Sequence, residues 1–277
     1  MTGAGGLIGS ALRAALEADG DGVVPLPRRP SSAQLEGLDA VVHLAGEPVA
    51  DKRWSEAQKR EIRESRMMGT RALVEALGEL DTKPRVLVSG SAIGYYGDRG
   101  DELLDEGSAP GDDFLANVCK DWEAEGQRAE ALGMRVVRVR TGIVLAREGG
   151  ALPKLALPFR LFAGGPLGSG RQWMSWIHLD DEVGLIRHAL KNEGVRGAVN
   201  LVSPNPVPNA AMAREIGRAL GRPSLVPTPR FALKLALGER VEVLVASQRV
   251  VPRAAQETGY QFRYPELAPA LRDLLSS

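Results

Sequence analysis

The chain has 277 residues, 44% of them hydrophobic, enough for a substantial core in one large domain or in a large and a small one. Lysine plus arginine and aspartate plus glutamate number 35 each, so no net field draws nucleic acid or an anionic membrane. A single cysteine excludes an intrachain disulfide, three scattered histidines offer no metal-ligand cluster, and no apolar run is long enough to span a bilayer. With nothing at the start that reads as a signal peptide, the expectation is a soluble, cytoplasmic protein without metal, membrane or nucleic-acid partner.

Gly3, Gly6 and Gly9 fall in a Gly-x-x-Gly-x-x-Gly spacing that runs into Ser10-Ala11-Leu12-Arg13. The first glycine permits a turn, the middle one lets backbone approach a pyrophosphate, and the last lets a helix pack on a strand. Leu7 and Ile8 open that helix, and its unpaired N–H groups and dipole favour phosphate. Such a turn follows a buried parallel strand, of which only Met1 and Thr2 stand here, so the first strand is expected to be missing or truncated. Taken alone, the glycine spacing is also what a chance turn would give.

The apolar runs 23–26, 40–44, 86–89 and 136–139 read as buried strands. Between them, 8–17, 56–80 (with a bend expected near Gly69) and 114–132 read as helices. This alternation predicts an α/β fold, a Rossmann-type doubly wound parallel sheet in a dinucleotide-binding domain over 1–150, with late sheet elements from 172–200. Beyond Gly142 the texture is punctuated by glycine and proline: helix 151–163, loop 164–170, strand 172–177, helix 181–191, strand 198–202 and helix 209–220. A mostly helical tail over 230–277 turns near Gly259. Residues 151–277 are expected to form a smaller, substrate-side domain.

In a dinucleotide fold the end of the second strand, about 20 residues past the glycine loop, meets the adenosine ribose. Here it reads Leu26-Pro27-Arg28-Arg29, with no acid to accept a 2′-hydroxyl. Two guanidiniums at that point suit a 2′-phosphate and predict NADP(H) in preference to NAD(H), the alternative being ordinary loop charges.

Several stretches then resemble the short-chain dehydrogenase/reductase superfamily in its extended, epimerase-like form. They are Thr2-Gly3-Ala4-Gly5-Gly6-Leu7-Ile8-Gly9, Val41-Val42-His43-Leu44-Ala45-Gly46, Val88-Ser89-Gly90-Ser91-Ala92, Arg140-Thr141-Gly142-Ile143 and Ile177-His178-Leu179-Asp180-Asp181. Ala45-Gly46-Glu47-Pro48, Ile93-Gly94-Tyr95-Tyr96-Gly97-Asp98, the run 165–176 and Ser247-Gln248-Arg249-Val250 resemble a narrower, atypical group with a small C-terminal domain of unknown function. The resemblance spans essentially the whole chain. It implies a cofactor site built from the glycine loop, Arg28 and Arg29, Leu44, Ala45 and Gly46, Ser89 and Gly90, and Arg140 to Ile143.

The superfamily's chemistry rests on a Tyr-x-x-x-Lys pair, whose lysine lowers the tyrosine pKa so that the phenol serves as acid and base. Four positions beyond Tyr95, Tyr96, Tyr260 and Tyr264 stand Arg99, Gly100, Tyr264 and Ala268, so the pair is absent. Aligned on the family's catalytic helix, Leu115 takes the tyrosine position and Cys119 the lysine position; Lys120 lies about 100° further round the helix. Ser91 keeps the upstream hydroxyl, and Arg66 stands where the family has asparagine.

Each candidate replacement has a bland counterpart. Cys119 is a nucleophile or acid activated by Arg66, or a small apolar filler. Tyr95 or its neighbour Tyr96 supplies a phenol, or packs. Glu47, just past a strand end where open sheets bind ligands, is a base or substrate anchor, or a loop carboxylate. Arg171, Trp173 and Trp176 line a substrate pocket, or the tryptophans are core. His43, ending a buried strand, is structural or adjacent to the cofactor. Two functions follow: an NADP-dependent oxidoreductase or nucleotide-sugar-epimerase-like enzyme acting on a small molecule as a monomer or homodimer, or a non-catalytic NADPH-binding sensor or partner-binding protein.

Overall fold

The alternating apolar runs assemble into a parallel sheet, seen in a computed structural model that describes residues 1–276; Ser277, the last residue of the predicted tail, lies outside the described residues. In chain order the first half holds α1 (Leu7–Ala18), β1 (Ala40–His43), α2 (Glu56–Gly78), β2 (Val86–Ala92), β3 (Leu103–Leu104), α3 (Phe114–Gln127), β4 (Arg135–Thr141) and β5 (Ile143–Leu145). The second half holds α4 (Leu152–Arg160), β6 (Trp173–Met174), β7 (Trp176–His178), α5 (Leu179–Lys191), β8 (Gly197–Leu201), β9 (Val207–Pro208) and α6 (Asn209–Leu220). It closes with α7 (Arg230–Leu237), α8 (Val241–Val245), β10 (Arg249–Val250), α9 (Arg253–Glu257) and α10 (Leu267–Leu275).

The main sheet runs β1-β2-β4-β8, all parallel. Its strands are rich in valine, and both faces are covered, as buried parallel strands require. On one face α1 and α5 pack Leu12, Leu16, Leu185 and Ile186 against Val42, Val88, Val137 and Val199. On the other, α2 packs Leu73 and Leu77 against Val41, Leu87 and Val136. A separate cluster joins α4, α6 and α10 through Phe159, Ile216 and Leu271, with Trp176 fully buried among them.

Met1 and Thr2 stand where a further strand belongs. Thr2 bridges Leu26 on one side and His43 on the other, both in parallel. The Met1 ammonium donates to the Val24 carbonyl at 2.6 Å, and Thr2 N–H donates to the Val42 carbonyl at 3.0 Å. Below this two-residue piece a groove of about 1280 Å³ opens between Val23–Val24 and Ala40–Val42. Of the predicted strand 23–26 only Leu26 pairs, through its single bridge to Thr2.

Other departures have local causes. α2 runs unbroken past Gly69, with Ser55 capping it by accepting from Gln58 N–H at 3.2 Å. The helix predicted over 114–132 is α-helical only to Gln127 and tightens into a 3₁₀ turn that ends at Gly133, φ 82°. The strand predicted over 172–177 breaks at Ser175, whose hydroxyl donates to the Gln248 carbonyl at 2.7 Å; β6 pairs antiparallel with β9, and β7 parallel with β5. Among the described residues no helix is long and apolar enough to cross a membrane.

Candidate functional site

Three glycines do different work at the start of α1. A Cβ on Gly9 would stand 2.0 Å from the Gly3 carbonyl oxygen, and one on Gly3, whose φ is 70°, would meet the Leu44 backbone at 2.8 Å. Gly6 is the N-cap residue and has no side chain with which to cap, leaving the first N–H groups of α1 directed outward. A Cβ on Gly6 would touch nothing nearer than 3.4 Å. That is a cradle for an anion at a helix N-terminus, so Gly3, Gly6, Leu7, Ile8 and Gly9 fit a pyrophosphate.

The neighbouring strand ends converge on this cradle because a parallel sheet aligns all its carboxyl ends on one edge. Leu44, Ala45 and Gly46 leave β1 beside Gly3, and the Ala45 N–H donates to the Thr2 hydroxyl at 3.3 Å. His43 is buried between Thr2 and Thr70, at 2.7 and 3.1 Å, and burial pulls its pKa down to about 4, so it is a neutral structural histidine. Arg28 and Arg29 are exposed beyond Leu26.

Glu47 stands beside Arg28, at 3.8 Å, and bonds Lys52 at 2.7 Å. The Lys52 hydrogen bond holds the Glu47 carboxyl below the usual range. This corrects the expectation of a base, since a carboxylate already gripped by cations is a weak base. Arg66 donates to the Glu47 and Ile62 carbonyls at 2.9 and 3.1 Å and lies 5.1 Å from the Trp122 ring.

Under Ser91 lies a buried network centred on Glu123, a residue sequence reasoning did not single out. The Ser91 hydroxyl donates to Glu123 Oε1 at 2.7 Å. Arg140 grips both carboxylate oxygens, at 2.7 and 2.9 Å, and donates to the Tyr96 hydroxyl at 2.9 Å; Tyr96 in turn donates to Asn200 at 2.7 Å. The Arg140 guanidinium is 3.5 Å from the Tyr95 ring centre. Leu115, Cys119 and Glu123 succeed one another at four-residue steps on one face of α3, and that spacing was the signal available.

This network corrects two assignments, Arg140 and Cys119, and gives the Tyr95 ring a packing partner. Arg140 is buried and bound to Glu123, not open to a cofactor. Tyr95 is the underside of a cation–π contact, with Tyr96 edge-on to it at 5.4 Å. Cys119 is buried, and burial pushes its thiol up to about 12, so no thiolate nucleophile forms near neutral pH; Arg66, whose charge favours the thiolate, does not offset the desolvation.

The remaining predicted residues divide between packing and rim. The buried Ser89 hydroxyl faces Gly126 of α3 and has no hydrogen-bond partner, and a Cβ on Gly90 would strike the Trp122 ring at 2.7 Å. Thr141 donates to Glu182 at 2.7 Å, while Gly142 and Ile143 form backbone bonds to Leu201 and Ser175. Trp176 is core, its indole N–H on the Asn205 carbonyl at 3.1 Å, because β7 faces the cluster under α6. Trp173 bonds Asp101 at 2.8 Å under Arg249, and Arg171 is exposed, so the three do not form one pocket wall.

A glycine turn and open helix N-terminus on the carboxyl edge of a parallel sheet define a Rossmann-type nucleotide-binding protein. Residues 1–201 match the model of the NAD dependent epimerase/dehydratase family, and residues 228–274 match a domain of unknown function, DUF1731. The chain belongs to the NAD dependent epimerase/dehydratase family, as an atypical, epimerase-like member of the short-chain dehydrogenase/reductase superfamily. It is 40% identical to the chloroplastic epimerase family protein SDR39U1 homolog of Arabidopsis thaliana, over 99% of this chain and 86% of that one. The crystal structure of human epimerase family protein SDR39U1 with NADPH superposes with a TM-score of 0.91 at 36% identity, covering 99% of this chain and 97% of that one. A nucleoside-diphosphate sugar epimerase from Corynebacterium glutamicum superposes at 0.82 with 39% identity, covering 99% of this chain and 57% of that one.

Proposed function

We propose that this chain binds NADP(H) in preference to NAD(H) and serves as an oxidoreductase or nucleotide-sugar-epimerase-like enzyme on a small-molecule substrate. The observation that carries the cofactor reading is Arg28, an exposed guanidinium at the strand end beside the α1 cradle, with no acid in Leu26-Pro27-Arg28-Arg29. The NADPH in the human relative's structure supports it. When bound, the nicotinamide supplies or accepts hydride. The residues of this chain would hold the pyrophosphate on α1, the 2′-phosphate on Arg28 with Arg29, and a substrate oxygen at Ser91.

Ser91 carries one hydroxyl proton, and Glu123, gripped by Arg140, only accepts hydrogen bonds. Ser91 therefore offers lone pairs to the cleft and suits a substrate hydroxyl better than a carbonyl. A second reading, a cofactor-binding sensor without turnover, is favoured by α3: Leu115 has no ionisable group and Cys119 is a buried thiol pushed up to about 12 where the superfamily has its tyrosine and lysine.

Fluorescence titration tests the cofactor reading. NADPH is expected to bind more tightly than NADH, and Arg28→Ala to weaken NADPH by about tenfold or more while leaving NADH nearly unchanged, as loss of a charge-assisted phosphate contact implies. Equal affinities for the two cofactors would refute the preference. Hydride exchange against sugar nucleotides, carbonyls and quinones, repeated with Ser91→Ala, separates enzyme from sensor. Turnover that falls in Ser91→Ala supports the enzyme; tight binding with no exchange on any of them supports the sensor.

A further inference from the structure

Several exposed apolar side chains of this protein are gathered on one face. Among the described residues eleven large ones stand exposed, and five of these, Leu157, Leu161, Phe162, Leu225 and Val226, lie at the end of α4 and just after α6. The two segments touch: Val226 N–H donates to the Gly164 carbonyl at 3.1 Å, and the Arg222 guanidinium is 4.3 Å from the Phe162 ring centre. Phe162 has φ of 60°, alone among the described non-glycine residues, and its side chain is 60% exposed. Backbone strain that aims a phenylalanine at water is not explained by core packing.

The same face is cationic. Arg160 ends α4, Arg214 and Arg218 line the exposed side of α6, and Arg222 follows. Glu215 is the single acid in α6 and is bonded to Arg218 at 2.6 Å, and residues 152–163 and 221–227 contain no acid at all. Arg214, Arg218, Arg222 and Ser224 line a cavity of about 340 Å³ with Leu225 at its edge. A second copy docked by two-fold symmetry would set guanidiniums against guanidiniums. The complementary partner brings anionic groups and an apolar body together.

We propose that this face docks on an anionic phospholipid membrane surface, with lipid phosphates in the arginine cavity and Leu161, Phe162 and Leu225 at the acyl boundary. Guanidiniums at headgroup level beside protruding leucine and phenylalanine are the arrangement interfacial segments use, and each cation near an anionic leaflet strengthens the attraction. The residues of this face are distinct from those of the glycine cradle, so docking is expected to leave cofactor binding unchanged.

Co-sedimentation of the whole protein with vesicles tests this. Binding is expected to an equal mixture of phosphatidylcholine and phosphatidylglycerol, weakened by added salt, and not to phosphatidylcholine alone. The double variants Leu161→Ser with Phe162→Ser, and Arg218→Glu with Arg222→Glu, are each expected to lose about tenfold or more in vesicle affinity, with melting temperature and NADPH titration unchanged. Absence of binding to the mixed vesicles, equal binding to neutral ones, or full retention by both variants overturns the proposal. So does displacement by inorganic phosphate alone, which would mark a free-anion site. Self-association in the absence of lipid that both variants abolish would assign the face to a protein interface instead.

Discussion

Glu182 sits fully buried in the first turn of α5, its Oε1 accepting from Thr141 and its Oε2 without a partner. Burial raises its pKa from an ordinary 4.5 to about 8, so it holds a proton near neutrality. Below pH 4.5 the folded and unfolded chains are both protonated there, and the group contributes no pH dependence. Between 4.5 and about 8 only the folded state keeps the proton, so stability falls as pH rises through that window. Glu182→Gln is therefore expected to flatten the decline of melting temperature between pH 5 and pH 8; an unchanged slope in calorimetry would locate the proton elsewhere. At Glu123 the danger is an orphaned cation. Glu123→Ala leaves Arg140 buried and unpaired, and a loss of about 3–5 kcal/mol in urea denaturation is expected. Ser91→Ala removes one hydrogen bond from the same network and is expected to cost nearer about 1 kcal/mol.

Among the elements, the Thr2 position between Leu26 and β1 carries the least backbone pairing. Val42 carbonyl and Leu44 N–H meet Thr2, so by the alternation of a strand the backbone groups of Ala40 face the groove, and Leu26 and Val24 face it from the other side. An engineered extension of about four β-branched residues at Met1 would pair both edges and cover the groove. It would also turn the half-buried Met1 ammonium, whose pKa burial lowers, into a neutral amide. The expected outcome is a rise of several degrees in melting temperature with slowed amide exchange at Val24 and Val42, read by hydrogen-exchange mass spectrometry. An extension that leaves both unchanged would mean that the groove cannot accept a strand.

Across the whole molecule, the segment after β1 ties the two halves over the cleft. Asp51 bonds Lys154 of α4, the Ala50 carbonyl accepts from Arg240, and Lys59 of α2 bonds Glu239. The tie between Asp51 and Lys154 is exposed, and an exposed pair contributes only about 0–1 kcal/mol. A ligand seated between the strand ends and this segment would stabilise the closed arrangement. NADPH at about 100 times its Kd is expected to stabilise the fold by about 2.7 kcal/mol, seen as a concentration-dependent rise in melting temperature. No shift at saturating cofactor would argue that the nucleotide binds the unfolded chain equally well or not at all.

The sequence alone was enough for the glycine cradle, the parallel sheet and the absent Tyr-x-x-x-Lys pair, because each depends on local spacing: a turn, a strand period, a helical step of four. The position of Arg28, just past Leu26 and its bridge to Thr2, was legible for the same reason, being fixed by its distance along the chain from Gly9. Tertiary structure alone decided what the charged and aromatic residues do. Arg140, Glu123 and Tyr95 come from three elements, and whether an arginine meets a phosphate or a buried carboxylate depends on which of them share a cavity. Glu47 turned out to be bound by Lys52 and Arg28, and Trp176 to be core, for the same cause. The balanced total of 35 cations and 35 anions likewise hid a one-sided face, since net charge is a sum and docking depends on where its terms lie.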